Sequence, residues 1–284
     1  MVAVATGAEL LGEYLRAQAE EIERAGRAVA DADPEGVHDL RVACRRARSA
    51  LRDHRRLVRK NRRTAVTDLA GDLRLLGLDL SGPRDDEVTR ALVVGWARQD
   101  DWDEETVTTV LEALGDQVAA TPATSTVAIR ATSLGAAVRS WVEIADWRPR
   151  ATRDAERALT PVADRGSARL ERRVNAARSA SHDDAPAMWH EVRKAVKRVR
   201  YVAEAARPAI APASAVVSSA KALQTVLGDR QDAQVVLVRL AGAPEPTSAP
   251  VLLAVERARR AVREAGDAVP ATYEALRRAQ TGRA

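Results

Sequence analysis

Two histidines in this 284-residue chain each open a run of arginine and lysine. His38 leads HDLRVACRRARSAL, and His190 leads HEVRKAVKRVRYVA. Laid over each other at an offset of 152 residues, without a gap, His38 falls on His190, Arg41 on Arg193, Arg45 on Lys197, Arg46 on Arg198 and Arg48 on Arg200. Residues of this kind hold anions. An arginine fork grips two phosphate oxygens at once, and a lysine adds a point charge.

The spacing decides whether these charges act together. At 100° per residue from His38, Arg41, Arg45, Arg48, Arg52, Arg55, Arg56 and Arg59 fall in an arc of about 260° to 360°. Leu40, Ala43, Ala47, Ala50, Leu51 and Val58 lie opposite, at about 120° to 220°. In the later run, His190, Arg193, Lys197 and Arg200 share one side with Glu204, while Val192, Ala195, Val199, Val202 and Ala206 share the other. Each helix is expected to bury one face and present cations along the next. A merely solvated face would mix signs to gain i,i+4 pairs of roughly 0.2–0.5 kcal/mol each. A stripe almost without acid repels itself, and a bound polyanion relieves that.

The matched histidines read as phosphate contacts beside the stripes, since a polyanion favours protonated imidazole. The plainer alternative is a capping or core role. No metal is expected, because neither has a second His, Cys or carboxylate at a tetrahedral spacing. His54 and His182 read as surface residues. Asp85, Asp86 and the matched Asp232 suit a helix start or a pairing with stripe arginines. Lys221, Arg74 and Arg84 are further candidates for a basic cleft.

A second match lies downstream at an offset of 147, where Leu80 to Val88 falls on Leu227 to Val235. Two matched blocks in the same order argue for duplication of one helical unit. Helical periodicity runs nearly end to end. Helices are expected at about 7–31, from Asp33-Pro34 to 60, to 79, 84–98, a segment after Asp100 ended by Thr121-Pro122, and on to about 146. Asp33 is the expected N-cap and Pro34 the first helical position. Trp147-Arg148-Pro149 marks the boundary between a half at 1–147 and a half at 150–284. Beyond it, helices are expected at about 151–180, 185–206, 211–228, 229–241, 249–267 and 270–281. No hairpin pattern occurs, so the fold class is all-α.

Composition agrees with this. Phe is absent, Trp numbers five and Tyr three, and good helix formers dominate. The net charge is +5, yet His38–Arg63 carries +9 and His190–Arg207 carries +4, leaving −8 elsewhere. That is a local anion site rather than a generally sticky surface. The single Cys44 excludes an internal disulfide framework and fits a reducing cytoplasm. No membrane span or leader is expected.

The two histidine blocks, with Leu223-Gln224 and Leu227-Gly228-Asp229 after the second, resemble the CHAD family, the conserved histidine α-helical domain. Ser81 and Glu87 depart from the pattern, where glycine and aspartate are usual. The resemblance spans essentially the whole chain as one CHAD domain. It implies two pseudo-symmetric four-helix bundles facing each other across a central basic pore. It also implies binding of inorganic polyphosphate, and association with polyphosphate granules in the cytoplasm. The family's pore residues carry over to Arg41, Arg45, Arg48, Arg52, Arg193, Lys197 and Arg200, with His38 and His190 beside them. Arg46, Arg56, Lys194, Arg198 and Lys221 complete the expected anion-binding set. A Glu-x-Glu-x-Lys mark of a preceding triphosphate-processing barrel is missing, so the chain reads as a stand-alone member.

Three function classes follow. The leading one is a polyphosphate-binding module without catalysis or cofactor. The runner-up is a nucleic-acid-binding helical protein, disfavoured because only Tyr201 offers a stacking ring and no reader motif is visible. The third is a phosphohydrolase or kinase, which would need a carboxylate cluster, a GxxxxGK[ST] loop or a nucleophile with its base. No GxxxxGK[ST] occurs, and the Asp85–Asp86 pair alone is a weak signal for a carboxylate cluster.

Overall fold

Thr6 starts the first helix through a capping box. Its Oγ1 accepts from the Glu9 amide at 3.2 Å, and the Glu9 carboxylate accepts from the Thr6 amide at 2.7 Å. The computed structural model describes residues 5–33, 35–80, 82–115 and 124–282, of which 82–85 are described by backbone alone. Helix α1 spans Gly7–Ala30, α2 Gly36–His54, α3 Arg63–Asp79, α4 Gly82–Gln99, α5 Glu104–Ala113 and α6 Thr124–Ile144. The later half supplies α7 at Ala155–Arg178, α8 at Ala185–Ala206, α9 at Ala213–Ala241 and α10 at Ala249–Thr281. The fold is all-α, as the periodicity predicts.

Helices α1, α2, α3 and α6 close around one core that includes Leu15, Ile22, Leu40, Leu51, Leu73 and Val138. Helices α7 to α10 close around a second, with Leu170, Val192, Val196, Leu223 and Leu276. Between them α2 lies against α8. Helices α4 and α5 come from the first half of the sequence but pack on α9 and α10, through Val93, Trp96 and Val110 against Val236, Leu240 and Val251.

Several expected boundaries change. Asp33 turns the chain rather than capping α2: its Oδ1 accepts from the Glu35 amide at 2.9 Å, and α2 begins at Gly36. Gly36 is there for space, since a Cβ would sit 2.8 Å from the Val29 nitrogen. Helix α2 stops at His54, and a short 3₁₀ turn carries Arg55–Leu57. The basic helical stripe therefore ends six residues sooner than the expected end at 60. Helix α9 runs unbroken through Gly228, where two helices are expected. A helical glycine costs about 1 kcal/mol against alanine. Leu223 and Leu227 on one side of it, and Ala233, Val236 and Leu240 on the other, bury enough surface to carry the helix through. Helix α10 likewise continues through Pro270, with Val269, Tyr273 and Leu276 buried around it. Pro34, Ser81 and Thr121-Pro122 lie outside the described residues.

Candidate polyanion cleft

The α2–α8 crossing, flanked by α3 and α7, leaves a cleft of about 490 Å³. Helix α2 contributes Arg45, Arg48, Ser49 and Arg52 to its wall, and α3 contributes Arg74 and Leu78. Arg173 comes from α7, and α8 supplies His190, Glu191, Lys194, Ala195, Lys197, Arg198 and Tyr201. Eight of these side chains are Lys or Arg, and Glu191 is the only carboxylate.

That carboxylate is already engaged, by Arg173 and by Lys194. The hydrogen bond from Lys194 holds it below the usual glutamate range despite some burial. Arg52 is tied to Asp53 at 3.3 Å, which Ser49 Oγ also holds at 2.9 Å. Arg45, Arg48, Arg74, Lys197 and Arg198 form no ion pair among the described residues. The Arg45 Nε is buried without a hydrogen-bond partner. Burial, followed by repulsion from Arg52 and Arg74, draws Arg48 below the ordinary arginine value.

Lys197 sits at the centre of this field. Burial first, then repulsion from Arg193 and Arg45, pushes its ammonium down to about 7, against a counter-pull from Asp232. An anion in the cleft would restore its charge. The arrangement holds like charges close together, which an anion between them would neutralise.

Seven of the fourteen expected residues meet in this cleft: Arg45, Arg48, Arg52, His190, Lys194, Lys197 and Arg198. The other seven line other surroundings. His38 is exposed on the first turn of α2, and Arg41, on the next turn, is half-buried outside the cleft lining. Arg46 turns to the other side of α2, where its Nε donates to Glu204 Oε2 at 3.0 Å. Arg56 is exposed on the 3₁₀ turn. Arg193 stands over Gly228 of α9, where an added Cβ would lie 3.3 Å from its guanidinium. Arg200 donates to Glu204 Oε1 at 2.8 Å and to Gln224 Oε1 at 2.9 Å, over the Tyr201 ring. Lys221 is exposed on α9, outside the cleft lining.

His190 borders a second groove, and its Nδ1 lies 2.9 Å from Gln231 Oε1. Asp86 pairs with Arg90 one turn along α4 at 3.0 Å, and ties α4 to α9 through Arg239 at 2.7 Å. The side chains of Arg84 and Asp85 lie outside the described residues. His54 corrects an expectation: it is buried, not a surface residue. As the last residue of α2 it sits on that helix's apolar side, its Nδ1 3.0 Å from the Ala50 carbonyl.

Sequence reading gave Arg74 a secondary place and missed Arg173. The signal for Arg173 was present, because Arg165, Arg169 and Arg173 recur at every fourth residue and so share one face of α7. Among the described residues no group of three His, Cys, Asp or Glu converges as metal ligands would, and no helix is long and apolar enough to cross a membrane.

A family model described as the CHAD domain matches residues 13–241. In structure the chain is similar to PptA from Streptomyces chartreusis, with 19% identity, 98% of this chain and 100% of that one covered, and a TM-score of 0.64. It is also similar to the CHAD domain from the plant Ricinus communis, with 24% identity, coverage of 99% and 93%, and a TM-score of 0.61. At these identities the likeness is one of fold. No curated protein matches the sequence.

Proposed function

As the chain belongs to the CHAD domain family, we propose that it binds inorganic polyphosphate, held as an extended polyanion in the cleft between α2 and α8. The observation that carries this reading is the charge inventory of that cleft: eight Lys or Arg around about 490 Å³, with one carboxylate that is already paired. Such a wall destabilises the empty protein by repulsion, and a polyanion reverses the sign of that contribution.

The role is holding rather than hydrolysis. The cleft's single carboxylate is occupied by Arg173 and Lys194, so no carboxylate pair stands among its cations to bind a metal ion or activate water. Nucleic acid fits less well, because the one aromatic of the lining, Tyr201, is only 3% exposed and offers no ring face for stacking. A protein with this ligand is expected on polyphosphate granules in the cytoplasm, which fluorescence co-localisation with stained granules tests.

Calorimetric titration with long-chain polyphosphate at two salt concentrations, with DNA and triphosphate as comparators, tests the ligand. Tight binding that weakens steeply with salt and prefers polyphosphate over DNA at equal phosphate concentration supports the reading. No binding, a preference for DNA, or release of phosphate during the titration overturns it.

A further inference from the structure

The positive charge does not stop at the rim of the cleft. From Arg173 the face of α7 continues through Arg169 to Arg165, roughly 12 Å along the helix. Beyond Arg165 lie Arg56, on the turn after α2, and Arg150, in the segment joining the two halves. Their electrostatics trace the row. Arg198 in the cleft is lowered by burial and then by charges that include Arg52, Arg169 and Arg173, with Asp53 opposing. Arg165 is lowered by burial, then by Arg56 and Arg169, with Asp164 opposing. Arg150 is lowered by burial, then by Arg148, Arg165, Arg63 and Arg56.

The backbone fastens this patch in place. The Arg148 amide donates to the Leu57 carbonyl at 2.8 Å, and the Arg59 amide donates to the Asp146 carbonyl at 2.9 Å. Arg63 and Arg150 both donate to the carbonyl oxygen of Arg56. Two guanidinium groups thus share one neutral acceptor. Arg150, Arg165 and Arg169 are in no ion pair among the described residues. Like charges held together at the edge of an anion cleft destabilise the empty protein, and an anion lying across them removes that cost.

We propose that Arg169, Arg165 and Arg150 form a second binding surface, on which the part of a polyphosphate chain too long for the cleft lies after passing Arg173. This rests on the polyphosphate reading above and adds to it: affinity depends on chain length because only a long chain reaches the row.

The test compares the full chain with an Arg150→Gln/Arg165→Gln/Arg169→Gln variant, titrated with tripolyphosphate and with long-chain polyphosphate over a range of salt. Arg150 and Arg165 are exposed and Arg169 is half-buried, so the helical signal and melting temperature are expected to hold. A single Arg169→Gln variant gives a smaller shift of the same kind if the triple variant is poorly behaved. Long-chain affinity is expected to fall roughly tenfold and its salt slope by about 2–3, while tripolyphosphate binding stays unchanged. A long-chain curve that superimposes on the parent's, or an equal loss for both ligands, overturns the proposal. So does a loss confined to anionic phospholipid vesicles, which would assign the row to a membrane surface. An Arg48→Gln/Lys197→Gln variant separates the two failures. If it loses both ligands while the triple variant loses neither, the cleft stands and the row falls. If the parent binds neither polyphosphate, the reading beneath falls too.

Discussion

Arg46 on α2 donates its Nε–H to Glu204 Oε2 on α8 at 3.0 Å, and that bond joins the two bundles beside the cleft. The other oxygen of Glu204 takes Arg200 at 2.8 Å, and Tyr14 of α1 lies 3.4 Å from Oε2. One largely buried carboxylate therefore balances two arginines and a phenol whose proton is held more tightly by burial and by Glu204 itself. Both arginines come from the basic runs, yet they serve the scaffold. Their charge is spent on Glu204, which keeps them out of the cleft.

Glu204→Gln removes this balance and leaves two partly buried cations facing each other. Breaking one partner of a buried pair costs about 3 kcal/mol. The urea midpoint is expected to fall accordingly with an unchanged m-value, while polyphosphate binding by the folded protein persists. An unchanged midpoint would mean that solvent already screens the cluster.

His54 makes the protein sensitive to acid. Its Nδ1 faces a carbonyl, so the proton of the neutral ring sits there, and Nε2 is buried without a partner. Burial lowers its proton affinity below the ordinary 6.5, with the Ala50 carbonyl and Asp53 opposing and Arg165 adding to the fall. The unfolded chain then binds the proton more readily than the folded one. The stability from neutral His54 is complete above 6.5 and is lost as pH falls below it, at up to about 1.4 kcal/mol per pH unit. His54→Gln is expected to flatten the stability profile between pH 6.5 and 5. An acid limb identical to the parent's would place the sensitivity elsewhere.

Periodicity was enough for the helical class and for α1, α7 and α8, because their apolar residues recur at the helical period and are bounded by turn residues. It failed at Gly228 and Pro270, where local chemistry reads as a stop but packing on both sides holds the helix together. On α2 the wheel placed Arg45, Arg48 and Arg52 correctly beside one another. On α8 the cleft-facing edge is turned: Lys194 and Arg198 face the cleft, while Arg193 and Arg200 face α9. Which edge a neighbour covers is a tertiary fact that no single helix records. The burial of His54 was legible, since the same wheel puts it about 160° from His38, within the apolar arc.

The turned register makes residues at matching sequence positions unequal. Arg46 and Arg198 match when the two histidine runs are aligned, but Arg198 lines the cleft and Arg46 is paired with Glu204. Arg198→Gln is expected to lower the salt slope of polyphosphate binding by about 1 and leave stability nearly unchanged. Arg46→Gln is expected to do the reverse, lowering the unfolding midpoint and sparing the slope. Equal effects from the two substitutions would show that the matched positions act alike.

Lys197 couples binding to protons. In the empty protein its ammonium is pushed down to about 7 by burial, Arg193, Arg45 and Arg200, with Asp232 pulling the other way. A polyanion raises that value, so binding above pH 7 takes up a proton at this position. Affinity is expected to be highest below about pH 7 and to weaken as pH rises, by up to tenfold per unit. The stability of the empty protein runs the opposite way. The folded value lies below the unfolded 10.5, so the unfolded chain holds the extra proton between the two. The penalty for charging Lys197 is therefore full below about 7 and is relieved as pH climbs toward 10.5. Lys197→Met isolates the effect: the difference between variant and parent should show binding falling and empty-protein stability rising over the same pH range. If the parent's affinity is flat from pH 6 to 9 while the Lys197→Met variant binds equally well, the lysine is neither depressed nor in contact with the anion.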